Sequence, residues 1–206
     1  MDSKSHWEKV YSEKAATSVS WYQEHATTSL NLIQSTNVAK DASVIDVGGG
    51  ASTLIDDLLF IGYTNLSVLD LSGAALVAAR ERIGLSSVNV NWLEADVTKV
   101  NLPLHQFDVW HDRAVFHFLN TPEDRAAYVK AVLHAVKPGG HVIIATFAED
   151  GPIQCSGLPV MRYSADGLHK EFGDAFTLSK NLIEVHSTPF GTHQNFVYCY
   201  FRKTAL

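Results

Sequence analysis

Three acids and three consecutive glycines are the residues best spaced for chemistry. Asp46 lies within the apolar run VIDV, Gly48, Gly49 and Gly50 follow at once, and Asp70 and Asp96 occur in VLDLS and LEADVT. Glycines after a buried strand let the backbone turn sharply and approach a ligand with no Cβ between. An acid about twenty residues beyond such a turn can accept hydrogen bonds from both ribose hydroxyls, which points to a nucleotide-like cofactor. A second group lies in HDRAVFHFLN. There Asp112 and His117 are candidate general bases, and Arg113 can hold an anionic group or pair with Asp112.

The elements that must position these residues follow from periodicity. Apolar, β-branched runs predict strands at 44–47, 66–70, 88–93, 107–111 and 141–146, with helices at 52–61, 73–83 and 122–136 between them. Ser72 is placed to cap the second of these helices, and Pro122 opens the third. In the helix at 52–61, Asp56 and Asp57 are expected to face solvent. Strands alternating with helices imply a parallel sheet covered on both faces, with ligands bound beyond the carboxyl ends of the strands. Two last strands, 175–185 and 194–202, have no helix between them and predict an antiparallel pair. The expected fold is α/β: a Rossmann-like three-layer sandwich, its seven-stranded, mostly parallel sheet ending in an antiparallel hairpin.

Ahead of the first strand, Trp7, Val10 and Tyr11 lie at helical spacing, and Trp21 and Tyr22 follow. Any one of these aromatics is expected to pack. Together they predict a helical lid with a lead-in helix over 1–42, placed against a core of 43–206 within one structural domain.

The chain has 206 residues, a formal charge of −6 and 18% charged residues, which disfavours non-specific attraction to nucleic acid. The charged start and the absence of a long apolar run predict a cytoplasmic protein without membrane attachment, monomeric or dimeric. Cys155 and Cys199 suggest neither a disulfide framework nor zinc, and the histidines lack ligand spacing, so no metal is expected.

VIDVGGGAST, VLDLS and LEADVT, in that order, resemble motifs I, II and III of class I S-adenosylmethionine-dependent methyltransferases. The glycine pattern departs from the dinucleotide fingerprint GxGxxG, because Thr53 stands where the third glycine would be. The resemblance implies S-adenosylmethionine as cofactor. It places Asp46 toward the methionine amino group and Gly48, Gly49 and Gly50 under the cofactor. Asp70, with Leu71 beside it, falls on the ribose, Asp96 and Val97 at the adenine, and Trp21 near the sulfonium.

The segment HDRA resembles both thiopurine and other thiol methyltransferases and the elongation-factor lysine methyltransferases. Ala114 replaces the glycine of the lysine-enzyme triplet and leaves the two branches open. Gly151 and Pro152 are similar to a Gly-Pro of small thiol methyltransferases, and Cys155, Met161, Arg162 and Tyr163 are candidates to line an acceptor pocket. The expectation is methyl transfer to a small molecule, with a thiol or another soft nucleophile as candidate acceptor. A protein lysine methyltransferase is the alternative, and a non-catalytic S-adenosylmethionine-binding sensor the alternative of another class.

Overall fold

Val44, Ile45 and Val47 are all buried, and their strand β1 (Val44–Val47) lies in the interior of the sheet. The computed structural model describes residues 3–205. Before β1 come α1 (Ser3–Glu13) and α2 (Thr27–Ser35). After it the chain alternates through α3 (Leu54–Phe60), β2 (Leu66–Asp70), α4 (Gly73–Ile83), β3 (Val90–Glu94), β4 (Phe107–Arg113), α5 (Pro122–Ala135) and β5 (Val136–Phe147). A two-rung hairpin, β6 (Gln154–Cys155) and β7 (Leu158–Pro159), leads to α6 (Ala165–Phe172), and β8 (Phe176–Ser187) and β9 (His193–Lys203) finish the sheet.

The seven-stranded sheet has the order β3-β2-β1-β4-β5-β9-β8, with the first five strands parallel and β9 antiparallel to both β5 and β8. Successive side chains leave a strand on opposite faces, so each central strand feeds two cores. Ile45, Trp110 and Val142 pack with Tyr128 and Val132 of α5 and Leu168 and Phe172 of α6. Val44, Val109 and Ile143 pack with Leu32 and Ile33 of α2 and Leu54, Ile55 and Leu58 of α3. These are the three layers that the sequence pattern predicts.

Three local departures matter. β3 starts at Val90, because residues Gly84–Asn89 form a 3₁₀ turn. β4 runs on to Arg113, so Asp112 and Arg113 are strand residues with opposed side chains rather than neighbours in a loop. Asp57 is buried, not solvent-facing: its carboxylate meets His25 Nδ1 at 2.7 Å and accepts from the Ala26 amide at 3.2 Å, fastening the start of α2 to α3.

Candidate active site

At the carboxyl ends of β1 to β4 lies a cavity of about 380 Å³. Val47, Gly48, Asp70, Leu71, Asp96 and Val97 form its floor, and Trp7, Tyr11 and Trp21 cover it from the N-terminal segment. Arg113, Ala114, Phe118, Asp124, Cys155, Leu158 and Pro159 are among the residues of the remaining wall. A smaller hollow of about 40 Å³ shares Tyr11, Trp21, Gly48 and Arg113 with it and is bounded by Asp46, Gly49 and His111.

The glycines are sterically required. Gly48 has φ +70°, where a side chain is strained, and a Cβ on Gly49 would lie 2.3 Å from Asp46 Oδ2. A Cβ on Gly50 would lie 2.6 Å from Asp70 Oδ2, the atom to which the Gly50 amide donates at 3.0 Å. Gly50 lies behind the floor and orients Asp70.

Asp70 also accepts from the Ser72 amide at 2.8 Å. Burial pushes its carboxyl up to about 6, against the pull of these amides, so it is ionised at neutral pH and titrates just below. Burial acts upward on Asp96 too, but the Lys99 ammonium at 2.7 Å and the Thr98 hydroxyl and amide outweigh it and hold that carboxyl below its usual range.

Asp46 is tied on one side only. Its Oδ1 is 2.7 Å from His111 Nδ1, while its Oδ2 is buried without a hydrogen-bond partner among the described residues. The other ring nitrogen of His111 meets Ser29 Oγ at 2.8 Å. His111 is directly beside Asp46 in the β1–β4 register. The sequence reading missed His111 and Ser29; strand alternation offers one signal, since it puts residue 111 on the Arg113 face.

The three candidates after the fourth strand are separated rather than gathered. Asp112 turns to the α5 side, lines neither cavity, and accepts from Tyr128 Oη at 2.5 Å and from the Val115 and Phe116 amides at 2.8 and 3.1 Å. His117 is fully buried, takes the Phe147 amide on Nδ1 at 3.3 Å and also lines neither cavity. Burial, with the nearby Arg113 charge, lowers its ring to about 3, so it is neutral. Neither has the place of a base. Arg113 does line both cavities. It does not pair with Asp112: it donates to Tyr198 Oη at 3.0 Å and the Trp21 carbonyl at 3.1 Å, and it faces Glu184 at 3.4 Å.

Of the proposed acceptor residues, Cys155 lines the large cavity, and Met161, Arg162 and Tyr163 do not. Burial pushes the Cys155 thiol up to about 12, Arg113 pulling the other way, so the thiol is protonated at neutral pH. Tyr11 is raised above its ordinary value by burial and by Asp70.

A family model described as "Methyltransferase domain" matches residues 44–140, from the first strand into the start of β5. With the relatives and solved structures that follow, this match supports a class I S-adenosylmethionine-dependent methyltransferase. It is 24% identical to human EEF1A lysine methyltransferase 2 over 198 residues, 88% of this chain and 77% of that protein. Its fold is similar to that of a protein solved in work on the conversion of a disulfide bond into a thioacetal group during echinomycin biosynthesis, with TM-score 0.80 and 18% identity, covering 99% of this chain and 93% of that one. The Burkholderia thailandensis 1,6-didemethyltoxoflavin-N1-methyltransferase, solved with 1,6-didemethyltoxoflavin and S-adenosylhomocysteine, aligns with TM-score 0.71 and 19% identity over 98% of this chain and 84% of that one.

The cofactor of the methyltransferase is S-adenosylmethionine, and the residues present fit it. The unpartnered Asp46 Oδ2 is an acceptor suited to an ammonium group, and Cβ atoms on Gly49 and Gly50 would displace the Asp46 and Asp70 carboxylates. No described helix is long and apolar enough to cross a membrane.

Proposed function

We propose that the enzyme methylates a small molecule through a thiol or another soft nucleophile, with Asp46, Gly48 and Gly49 holding the methionine part of the cofactor and Asp70, Leu71, Asp96 and Val97 its adenosine. When bound, the sulfonium supplies an activated methyl group. The protein's share is to align the acceptor and exclude water.

One observation carries the acceptor class: among the described residues the carboxylates that line the cavity are Asp70, Asp96 and Asp124, none of them on α1 or the β6–β7 hairpin, and Asp124 is engaged by the Thr121 hydroxyl at 2.7 Å at the start of α5. Asp112 and His117 point elsewhere, and Asp70 and Asp96 belong to the floor beneath the adenosine. The wall there includes Trp7, Trp21, Phe118, Leu158, the protonated Cys155 and Tyr11, whose phenol burial keeps protonated. A thiol loses its proton near neutral pH and a sulfide has none to lose, so neither needs a base in the site, whereas a lysine ammonium does. Coverage of the cavity by α1 also favours an acceptor small enough to be enclosed.

The names of the EEF1A lysine methyltransferase relatives favour a protein acceptor as the second reading. The test is incubation with methyl-labelled S-adenosylmethionine and cell extract, followed by separation of protein from small molecules. Label in the small-molecule fraction, above an Asp70→Ala control, is the expected result. A discrete labelled protein band would replace this reading with the lysine one.

A further inference from the structure

We propose that Glu8 is a positioning residue: its carboxylate, seated on the first two amides of α4, holds α1 in place as the aromatic cover of the active site. The proposal rests on the reading of the large cavity as the cofactor site and deepens it.

The donors of α4 can be accounted for one by one. A helix leaves its first four N–H groups without intrahelical partners. Here the Ser72 amide goes to Asp70 Oδ1 at 2.8 Å and the Ala75 amide to Ser72 Oγ at 3.2 Å, while the Leu76 amide makes the first intrahelical bond, to the Ser72 carbonyl at 3.3 Å. The other two go to a side chain from far away in sequence: Gly73 donates to Glu8 Oε1 at 2.5 Å and Ala74 to Glu8 Oε2 at 3.2 Å. Both bonds are charge-assisted and lie at the positive end of the helix dipole. A Cβ on Gly73 would crowd Glu94 Oε2 at 2.7 Å but stand in ordinary contact with Glu8 Oε1 at 3.5 Å.

The attachment matters because little else of α1 is buried. Val10 is its one buried residue, so the apolar anchorage is thin. Yet the same helix supplies Trp7 and Tyr11 to the cavity, Trp7 standing edge-on to Trp21 at 5.7 Å and to Phe118 at 5.2 Å. Glu8 sits next to Trp7 in sequence and one turn before Tyr11. The amides it grips follow Asp70, Leu71 and Ser72, so seating α1 and ordering the turn that carries Asp70 are one event. Opening the cover therefore requires releasing Glu8.

The experiment compares wild type, Glu8→Ala, Glu8→Gln and, as a control on the same helix, Glu13→Gln. Glu13 stands 4.0 Å from Lys9 in an exposed pair. Trypsin digestion of the ligand-free proteins reads the exposure of Lys9 and Lys14, and stopped-flow reads the dissociation of S-adenosylhomocysteine. Glu8→Ala is expected to be clipped about tenfold faster and to release S-adenosylhomocysteine about tenfold faster, as loss of charge-assisted bonds implies. Its Tm should be unchanged, Glu8→Gln should fall between, and Glu13→Gln should match wild type. Equal clipping of Glu8→Ala and wild type overturns the proposal, as does faster clipping with an unchanged release rate. Failure of wild type to bind S-adenosylhomocysteine would instead overturn the reading of the cavity, so the two failures are distinguishable.

Discussion

Asp70 carries the cofactor's pH dependence. In the role proposed for it, its carboxyl, raised to about 6 by burial, must be ionised to accept two ribose hydroxyls, so a proton competes with the ligand. S-adenosylhomocysteine affinity measured by calorimetry is expected to be flat above about pH 6.5 and to weaken by up to tenfold per unit below about pH 6. Asp70→Ala should remove that inflection together with most of the affinity. Asp112 is expected to behave in the opposite way. Asp112→Ala leaves two amides and the Tyr128 hydroxyl without their buried acceptor, which costs about 3 kcal/mol of stability in urea titration, while the folded fraction keeps its cofactor affinity within a few-fold. At this scale Asp46, Gly48, Gly49, Asp70 and Asp96, which line the two cavities, could be singled out in the sequence, because they sit at or near strand ends within short local motifs. His111 and Ser29 were not legible, since a histidine beside an aspartate across two strands leaves no sequence spacing to read.

β4 shows why an element's end decides the chemistry of its residues. Ending that strand at His111 makes Asp112 and Arg113 loop neighbours able to pair, whereas its true end at Arg113 sends Asp112 to α5 and Arg113 to the cavity. Hydrophobic runs locate a strand's middle well and its ends poorly, because the last residues of a parallel strand are where polar site groups begin. Past that end, Ala114 has φ +73°, which explains why glycine suits the third place of the acidic-basic-small triplet. The aromatics Trp7, Tyr11 and Trp21 that line the cavity stood out in the sequence, while Arg113 reaching the Trp21 carbonyl did not. Trp21 gives this element its test. An aromatic face beside a sulfonium attracts its positive charge, and the neutral thioether product feels no such pull. Trp21→Leu is therefore expected to weaken S-adenosylmethionine more than S-adenosylhomocysteine, by a factor of about 3 to 30 in the ratio of their dissociation constants. Equal weakening would make Trp21 a packing residue alone.

Over the whole molecule, buried titratable groups oppose one another as pH falls. Asp70 and Asp112 both have folded values of about 6, above the ordinary carboxylate range, so the stability they confer is complete below about pH 4 and is lost as pH rises through 6. His117 works the other way. Its folded value of about 3 lies below the ordinary histidine value, so the stability it confers is present above about pH 6.5 and drains as the unfolded chain takes up a proton that the native ring refuses. Falling from pH 7 to 5, the two carboxyls add stability while His117 removes about 2 kcal/mol, leaving a flatter profile than either set alone would give. His117→Gln removes the opposing histidine and keeps an acceptor for the Phe147 amide. Urea titrations at the two pH values should show the variant gaining about 2 kcal/mol more than wild type on going to pH 5, whatever its stability at pH 7. His141, lowered to about 4 by burial and Arg202, acts in the same direction as His117 but is common to both proteins and cancels. An identical pH response in the two proteins would mean that the buried ring of His117 reaches solvent and protonates in the native fold.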